Sequence, residues 1–312
     1  MANKIKVLLR NNDLSLRLIY LFKYKIGRNI SYHRELSRVN RGEPRSKEMS
    51  EKLEKLKNIR KGKKCVIVGN GPSMRFSDLD RLHELRIDTF GSNRIVDVLN
   101  KTSWRPTYLC VMDPAFLIGV SSTVSVGEYL YSIKDEDFLI ILNDCLRTYI
   151  PEDMLTWKKL YLVSCNLAEL YSTRQLPFSE NIPLYVSDLG SVTQFCIQVA
   201  CYMGYEEIYL YGMDNSFVKY YDDDGAFKVN RHQSMHPKGM KTNIDDTVSD
   251  VIPKSKFEAY KLGGFADLRK NNYGYRVCNE YANKHGIHIY NVTRGGALEI
   301  FERKLFDEVF IV

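Results

Sequence analysis

Apolar and polar positions along the chain follow two periods. Short runs rich in β-branched and other apolar residues, at 65–68, 87–90, 107–112, 138–142 and 160–163, are bounded by charged or turn-forming residues, as buried parallel strands are. Between them apolar residues recur at helical spacing, over 77–85 and most regularly at Val192, Phe195, Cys196, Val199, Tyr202 and Met203. That spacing predicts a helix over 191–203 with one buried stripe, ended by Gly204. A strand is expected over 206–214, a helix over 257–285 and a last strand over 286–291. This alternation predicts an α/β, Rossmann-like fold, a mostly parallel twisted sheet flanked by helices.

Polar clusters fall at the carboxyl ends of these strands, where open α/β sheets bind ligands. Gly69-Asn70-Gly71-Pro72-Ser73 follows the first strand, and its small residues would let a phosphate or ribose approach main-chain N–H groups. The loop is neither GxGxxG nor GxxxxGK[ST], so the usual dinucleotide and P-loop readings do not apply. The plainer alternative is a strand-to-helix turn in which Pro72 starts the next segment and Ser73 caps it. Later strands end at Asn93, Asp113, Asn143-Asp144 and Asp214, and a polar turn over 291–298 closes the last one. Asn and Asp are also ordinary turn residues, so each has both readings. Gly190 and Ser191 precede the regular helix, whose positive end suits phosphate.

Composition places the chain among globular proteins: 312 residues, 44% hydrophobic and 27% charged. No apolar stretch nears eighteen residues and no secretory pattern is present, so neither a membrane span nor export is expected. Seven scattered cysteines suggest core thiols in a reducing, cytoplasmic compartment, with no disulfide framework and no metal site. The charge is uneven. Residues 1–64 carry a net +13 and the remainder −6. Residues 1–62 therefore read as a basic helical arm, and 63–312 as one nucleotide-binding domain. The arm has two open readings: peripheral contact with an anionic membrane face, or packing on its own domain or a second subunit in a homo-oligomer. The stretch 43–64 reads as a solvated helix or linker. No nucleic-acid module is recognisable.

Residues 220–253 are rich in Asp, Asn, Lys, His and Gly, and read as a lid-like loop that would exclude water from an activated donor. Its Asp222-Asp223-Asp224-Gly225 run reads as a solvated turn, because adjacent carboxylates do not face one point.

Three blocks carry a resemblance. Cys65-Val66-Ile67-Val68-Gly69-Asn70-Gly71-Pro72-Ser73, Asp88-Thr89-Phe90-Gly91-Ser92-Asn93 and Gly204-Tyr205-Glu206-Glu207-Ile208-Tyr209-Leu210-Tyr211-Gly212-Met213-Asp214 resemble the corresponding blocks of bacterial sialyltransferases of glycosyltransferase family 42. They also resemble the wider superfamily that includes 6-hydroxymethylpterin pyrophosphokinase-like proteins, and the likeness covers about residues 63–245. It implies a single domain of the GT-A-variant type that binds a CMP-sugar donor with no metal or other cofactor. Residue by residue, it implies Asn70, Ser73, Asn93 and Asp113, the last where the family commonly has asparagine, around the nucleotide, beside the loop glycines Gly69 and Gly71, with Asp214 matching the acidic residue that closes the late strand. A tyrosine pair that steadies the departing phosphate in that family has Tyr220 and Tyr221 as its nearest counterparts. The family's catalytic Gly-His pair aligns with Gly239-Met240, so this sequence departs at the base.

An inverting transfer needs a base for the acceptor hydroxyl, and imidazole suits that role near neutrality. His236, four residues before Met240, is the first choice and His232 the second, with loop surface residues as their plain reading. Asp214 or Asp113 would serve instead. The preferred function is transfer of an acidic sugar, sialic acid or Kdo-like, from a CMP donor to a lipopolysaccharide or capsule acceptor, with the arm at the inner face of the cytoplasmic membrane. The alternatives are a pterin-type pyrophosphokinase using ATP and a non-catalytic nucleotide-sugar-binding protein.

Overall fold

A computed structural model describes residues 27–71, 73–112, 125–166, 178–215, 219–221, 227–229 and 268–311. Eight strands make one sheet: β1 (Lys64–Val68), β2 (Asp88–Ser92), β3 (Tyr108–Val111), β4 (Leu139–Asn143), β5 (Leu160–Val163), β8 (Glu207–Tyr211), β11 (His288–Asn291) and β12 (Glu302–Arg303), while β6 (Cys165–Asn166) pairs with β7 (Val186–Ser187) and β9 (Lys219–Tyr221) with β10 (Phe227–Val229) in two small sheets. Their order is β12-β11-β8-β1-β2-β3-β4-β5, and every neighbouring pair is parallel. The fold is thus the expected α/β, Rossmann-like one, with a short twelfth strand beyond the predicted last one.

The apolar runs form strands because both faces are covered. Cys65, Val66, Ile67 and Val68 are wholly buried, as are Ile208, Leu210 and Tyr211 on the neighbouring strand. Helices on the two sides of a parallel sheet demand such continuous apolar strands. Successive strands run outward from β1 to the β5 edge, and the chain then returns to place β8 on the other side of β1. The β1/β8 junction is therefore the topological switch point, where the carboxyl ends of an open α/β sheet leave a crevice.

Eight α-helices are described: α1 (Gly27–Asn40), α2 (Lys47–Glu54), α3 (Phe76–Glu84), α4 (Val126–Ser132), α5 (Glu152–Leu155), α6 (Val192–Met203), α7 (Leu268–Lys284) and α8 (Phe306–Val309). Helix α6 differs from its sequence reading. It is buried nearly all the way round rather than along one stripe, and Gln194 and Gln198 are fully enclosed. The Gln198 amide explains this: its Oε1 accepts from Ser179 N and Ser187 N, and its Nε2 donates to Ser187 O and Gln194 O. The preceding segment thus covers the polar face of α6. The helix ends at Gly204, whose φ of +89° suits a residue without Cβ.

Helix α2 also departs from expectation. Its Met49 and Leu53, with Leu56 beyond it, are buried against the sheet side at β5, and Lys52 Nζ donates to Trp157 O and Leu160 O. Apolar residues at helical spacing seal the sheet there, so 47–56 is core packing and not a solvated linker. The amino edge of the sheet is closed by a second network, in which Arg60 Nε meets Asp88 Oδ2 at 3.2 Å and donates to Tyr108 OH, and Tyr205 OH donates to Asp88. All seven cysteines are free thiols, five of them buried. Among the described residues no helix is long and apolar enough to cross a membrane.

Candidate functional site at the switch point

Register brings the ends of β8, β1 and β2 level, since Val68 pairs with Tyr211 on one side and Gly91 on the other. The loop after β1 then folds onto the loop after β8. Gly69 N donates to Tyr211 O at 2.8 Å and Gly71 N to Gly212 O at 2.9 Å. Ser73 donates to Asp214 Oδ2 through its hydroxyl at 2.8 Å and its amide at 3.4 Å. Three of the loop's amides are thus engaged within the protein, which corrects the expectation that they stand open to a phosphate. Gly71 has the same explanation: a Cβ there would lie 1.8 Å from Asp214 Oδ2, so the small residue admits a carboxylate of the chain itself. Ser73 does not cap α3, whose N-cap is Arg75 without a side-chain bond.

The loop keeps one unused group. Asn70 Nδ2 donates to Ser92 O and Ser92 Oγ, fixing the amide plane, and its Oδ1 is buried with no hydrogen-bond partner. Asn93, next to it after β2, holds φ at +48°, which asparagine tolerates better than most residues. Its Oδ1 is likewise buried and unpartnered. Native proteins satisfy most buried polar atoms, so two orphaned acceptors at one rim point to a donor-bearing ligand.

Asp214 lies between these parts. The residue is 8% exposed, and burial raises its pKa, with the two Ser73 bonds opposing the rise. The turn after β11 closes on it: Ala297 N donates to Asp214 O at 2.7 Å, and Met213 N donates to Thr293 Oγ1. The amino end of α6 is adjacent, with Thr193 Oγ1 donating to Met213 Sδ at 3.2 Å. Gly190 N is occupied by Asp188 Oδ1 and the Ser191 hydroxyl by Gln194 Oε1.

Other strand-end asparagines are structural. Asn143 donates to Met112 O and accepts from Cys145 N, and Asn291 donates to Leu298 O and accepts from Thr293 N. Tyr220 and Tyr221 lie in β9 (Lys219–Tyr221), which pairs antiparallel with β10 (Phe227–Val229). Asp113, His232 and His236 lie outside the described residues. The sequence reading missed Asn215, Asn271 and Asn272. An Asn-Asn pair opening a helix was the one local sign of the last two, since asparagine is a poor helix former.

Below the loop a charged relay holds its far end. Arg75 N donates to Tyr211 OH, Tyr211 OH to Asp78 Oδ2, and Arg294 grips both Asp78 oxygens at 3.0 and 3.1 Å while also binding Asp307.

No curated protein matches the chain. Among solved structures it is similar to one titled "Structure of MAf glycosyltransferase from Magnetospirillum magneticum AMB-1", at 14% identity and a TM-score of 0.45, covering 83% of this chain. The match covers 38% of that protein's own chain, and the likeness is too distant to bear on activity. A family model described as 6-hydroxymethylpterin diphosphokinase MptE-like matches residues 44–220, more than half of the sequence, and the chain belongs to that MptE-like family.

Proposed function

We propose that the chain is a glycosyltransferase that passes an acidic sugar, sialic acid or Kdo-like, from a CMP-activated donor to a surface glycan, lipopolysaccharide or capsule, by an inverting transfer without a metal. Family membership supports the wider superfamily; the sialyltransferase-like assignment within it is our reading. The observation that carries it is the orphaned Asn70 oxygen at the switch point, beside the orphaned Asn93 oxygen. Carbonyl oxygens call for O–H or N–H donors, which ribose hydroxyls and the cytosine amine supply and an ionised phosphate does not. The phosphate, which links nucleoside to sugar, then falls between that rim and the amino end of α6, whose positive end favours negative charge, while Gly190 N and the Ser191 hydroxyl are engaged inside the protein.

The transfer needs a base for the acceptor hydroxyl. Asp214 suits it, because burial makes its carboxylate a stronger proton acceptor than an exposed one. His236 and His232 are the other candidates, with Tyr220 and Tyr221 assigned to the leaving phosphate and Asp113 to the nucleotide. In this reading the basic arm keeps the enzyme at the inner membrane face, beside a glycolipid acceptor.

The family's description favours a second reading, pyrophosphoryl transfer from ATP to a pterin at the same rim. A thermal-shift series with CMP, UDP, GDP and ATP, each with and without Mg²⁺, separates the two. Ligand at a hundredfold its Kd stabilises the folded form by about 2.7 kcal/mol. Stabilisation by CMP without Mg²⁺, followed by CMP release from a CMP-sugar when acceptor is added, supports glycosyl transfer. A response to ATP with Mg²⁺ alone sinks it in favour of the diphosphokinase.

A further inference from the structure

Asn271 stands in the first turn of α7 and is 4% exposed, yet its Oδ1 has no hydrogen-bond partner. Its main-chain carbonyl accepts from Gln194 Nε2 at 3.1 Å, and Gln194 Oε1 accepts from the Ser191 hydroxyl at 2.6 Å. Tyr275 lies one turn along the same face of α7, beside the Ser191 and Thr193 side chains. Asn271 therefore sits buried where the first turn of α7 packs on the amino end of α6. Beside it Asn272 Oδ1 accepts from Asn215 Nδ2 at 2.9 Å, and Asn215 directly follows Asp214.

The chemistry of this cluster is specific. A buried amide oxygen without a donor carries its full desolvation cost, which is removed when a ligand supplies the donor. Across from it, the first N–H groups of α6 lack intrahelical partners, and that first turn holds no acidic residue. Acceptor and donors thus meet at one junction, whose side chains Ser191, Thr193, Gln194, Asn215, Asn271 and Asn272 are uncharged and polar, while the nearby carboxylates are held by Gly190 N (Asp188) and Ser73 (Asp214). Vicinal hydroxyls, each both donor and acceptor, match such a set, whereas a flat heterocycle needs an apolar face to stack on.

We infer that the amino ends of α6 and α7, with Asn215, form the subsite for the hydroxyl-bearing sugar of the donor, with Asn271 as its specificity-determining acceptor. This rests on the nucleotide-sugar reading above. It lies next to the nucleotide rim through Asn215 and the Thr193 contact to Met213.

Calorimetric titration with CMP and with CMP-N-acetylneuraminic acid tests it on the full chain, Asn271→Ala and Asn271→Asp. Wild type should bind the CMP-sugar more tightly than CMP. Asn271→Ala should keep its CMP affinity and lose about tenfold for the CMP-sugar. Asn271→Asp, nearly isosteric, sets a carboxylate against the acidic sugar and should lose more. Equal CMP-sugar affinity in all three proteins overturns the subsite, as does an equal loss on CMP, which marks a nucleotide or folding role. If wild type binds neither ligand, the cytidine reading alone fails. Saturation-transfer NMR with free N-acetylneuraminic acid, Kdo and 6-hydroxymethylpterin then decides: a sugar signal lost in both variants supports the subsite, and a pterin signal or none from wild type overturns it.

Discussion

The Ser73 hydroxyl donates to Asp214 Oδ2 at 2.8 Å across 141 residues of sequence. This bond joins the loop after β1 to the loop after β8, the two segments that bound the switch-point crevice. It also sets the charge state at the rim, because both Ser73 donors favour the ionised carboxylate and burial opposes it.

Ser73→Ala should lower stability at neutral pH by about 1.5–3 kcal/mol, the range for a hydrogen bond to a charged acceptor. The penalty should shrink in acid, where a protonated Asp214 gains less from the donor. Urea unfolding at both pH values measures it, and an unchanged midpoint would show the bond to be idle.

The Asp214 pKa is raised above the ordinary 3.8, so the folded chain holds this proton more tightly than the unfolded chain. The stability it contributes is complete below the unfolded pKa and is lost as pH rises through the folded value. The wild-type-minus-Asp214→Asn difference in unfolding free energy should therefore fall with pH from about 3.8 upward. A flat or rising difference would contradict the burial argument. If Asp214 is the base, the same variant should retain CMP binding and lose most turnover, by the 10²–10⁴ scale of general base catalysis.

Gly71→Ala places a methyl 1.8 Å from Asp214 Oδ2 and 2.4 Å from Gly212 O. Backbone cannot yield as a flexible side chain does, so the cost should reach about 3 kcal/mol. Calorimetric melting should show the loss, and nucleotide stabilisation should weaken with it as the two loops separate.

Asn93→Gly separates binding from folding. Glycine accepts the φ of +48° and keeps the main-chain carbonyl that takes the Tyr129 hydroxyl, so stability should stay within about 0.5 kcal/mol. Nucleotide affinity should fall about tenfold with loss of the Oδ1 acceptor. Unchanged affinity would remove Asn93 from the site.

Arg294→Ala leaves Asp78, whose side chain is 3% exposed, without its cationic partner. Breaking a buried pair from one side should cost about 3 kcal/mol. Adding Asp78→Asn should cost less than the two single effects summed, since the uncompensated charge is gone. Full additivity in a double-mutant cycle would show that Arg294 and Asp78 act independently.

Much of the scaffold could be read locally. The β1 run at 65–68, helix α6 and its Gly204 stop, and β8 each follow from apolar periodicity and a terminating residue, which are properties of neighbours in sequence. The burial of Met49, Leu53 and Leu56 was also encoded at helical spacing, but the surrounding charge obscured it.

Which polar residues are spent and which remain open could not be read that way. Asn70, Asn143 and Asn291 all follow or end a strand in equivalent sequence settings, yet Asn143 and Asn291 use both ends of their amides inside the protein, and Asn70 keeps its oxygen unpaired. Strand order alone brings Asp214 against Gly71 and Ser73, and helix packing alone brings Asn271 to Gln194. Hydrophobic periodicity is a local signal and determines the elements; hydrogen-bond partners are chosen by contacts between segments far apart in sequence, and only the assembled tertiary structure decides them.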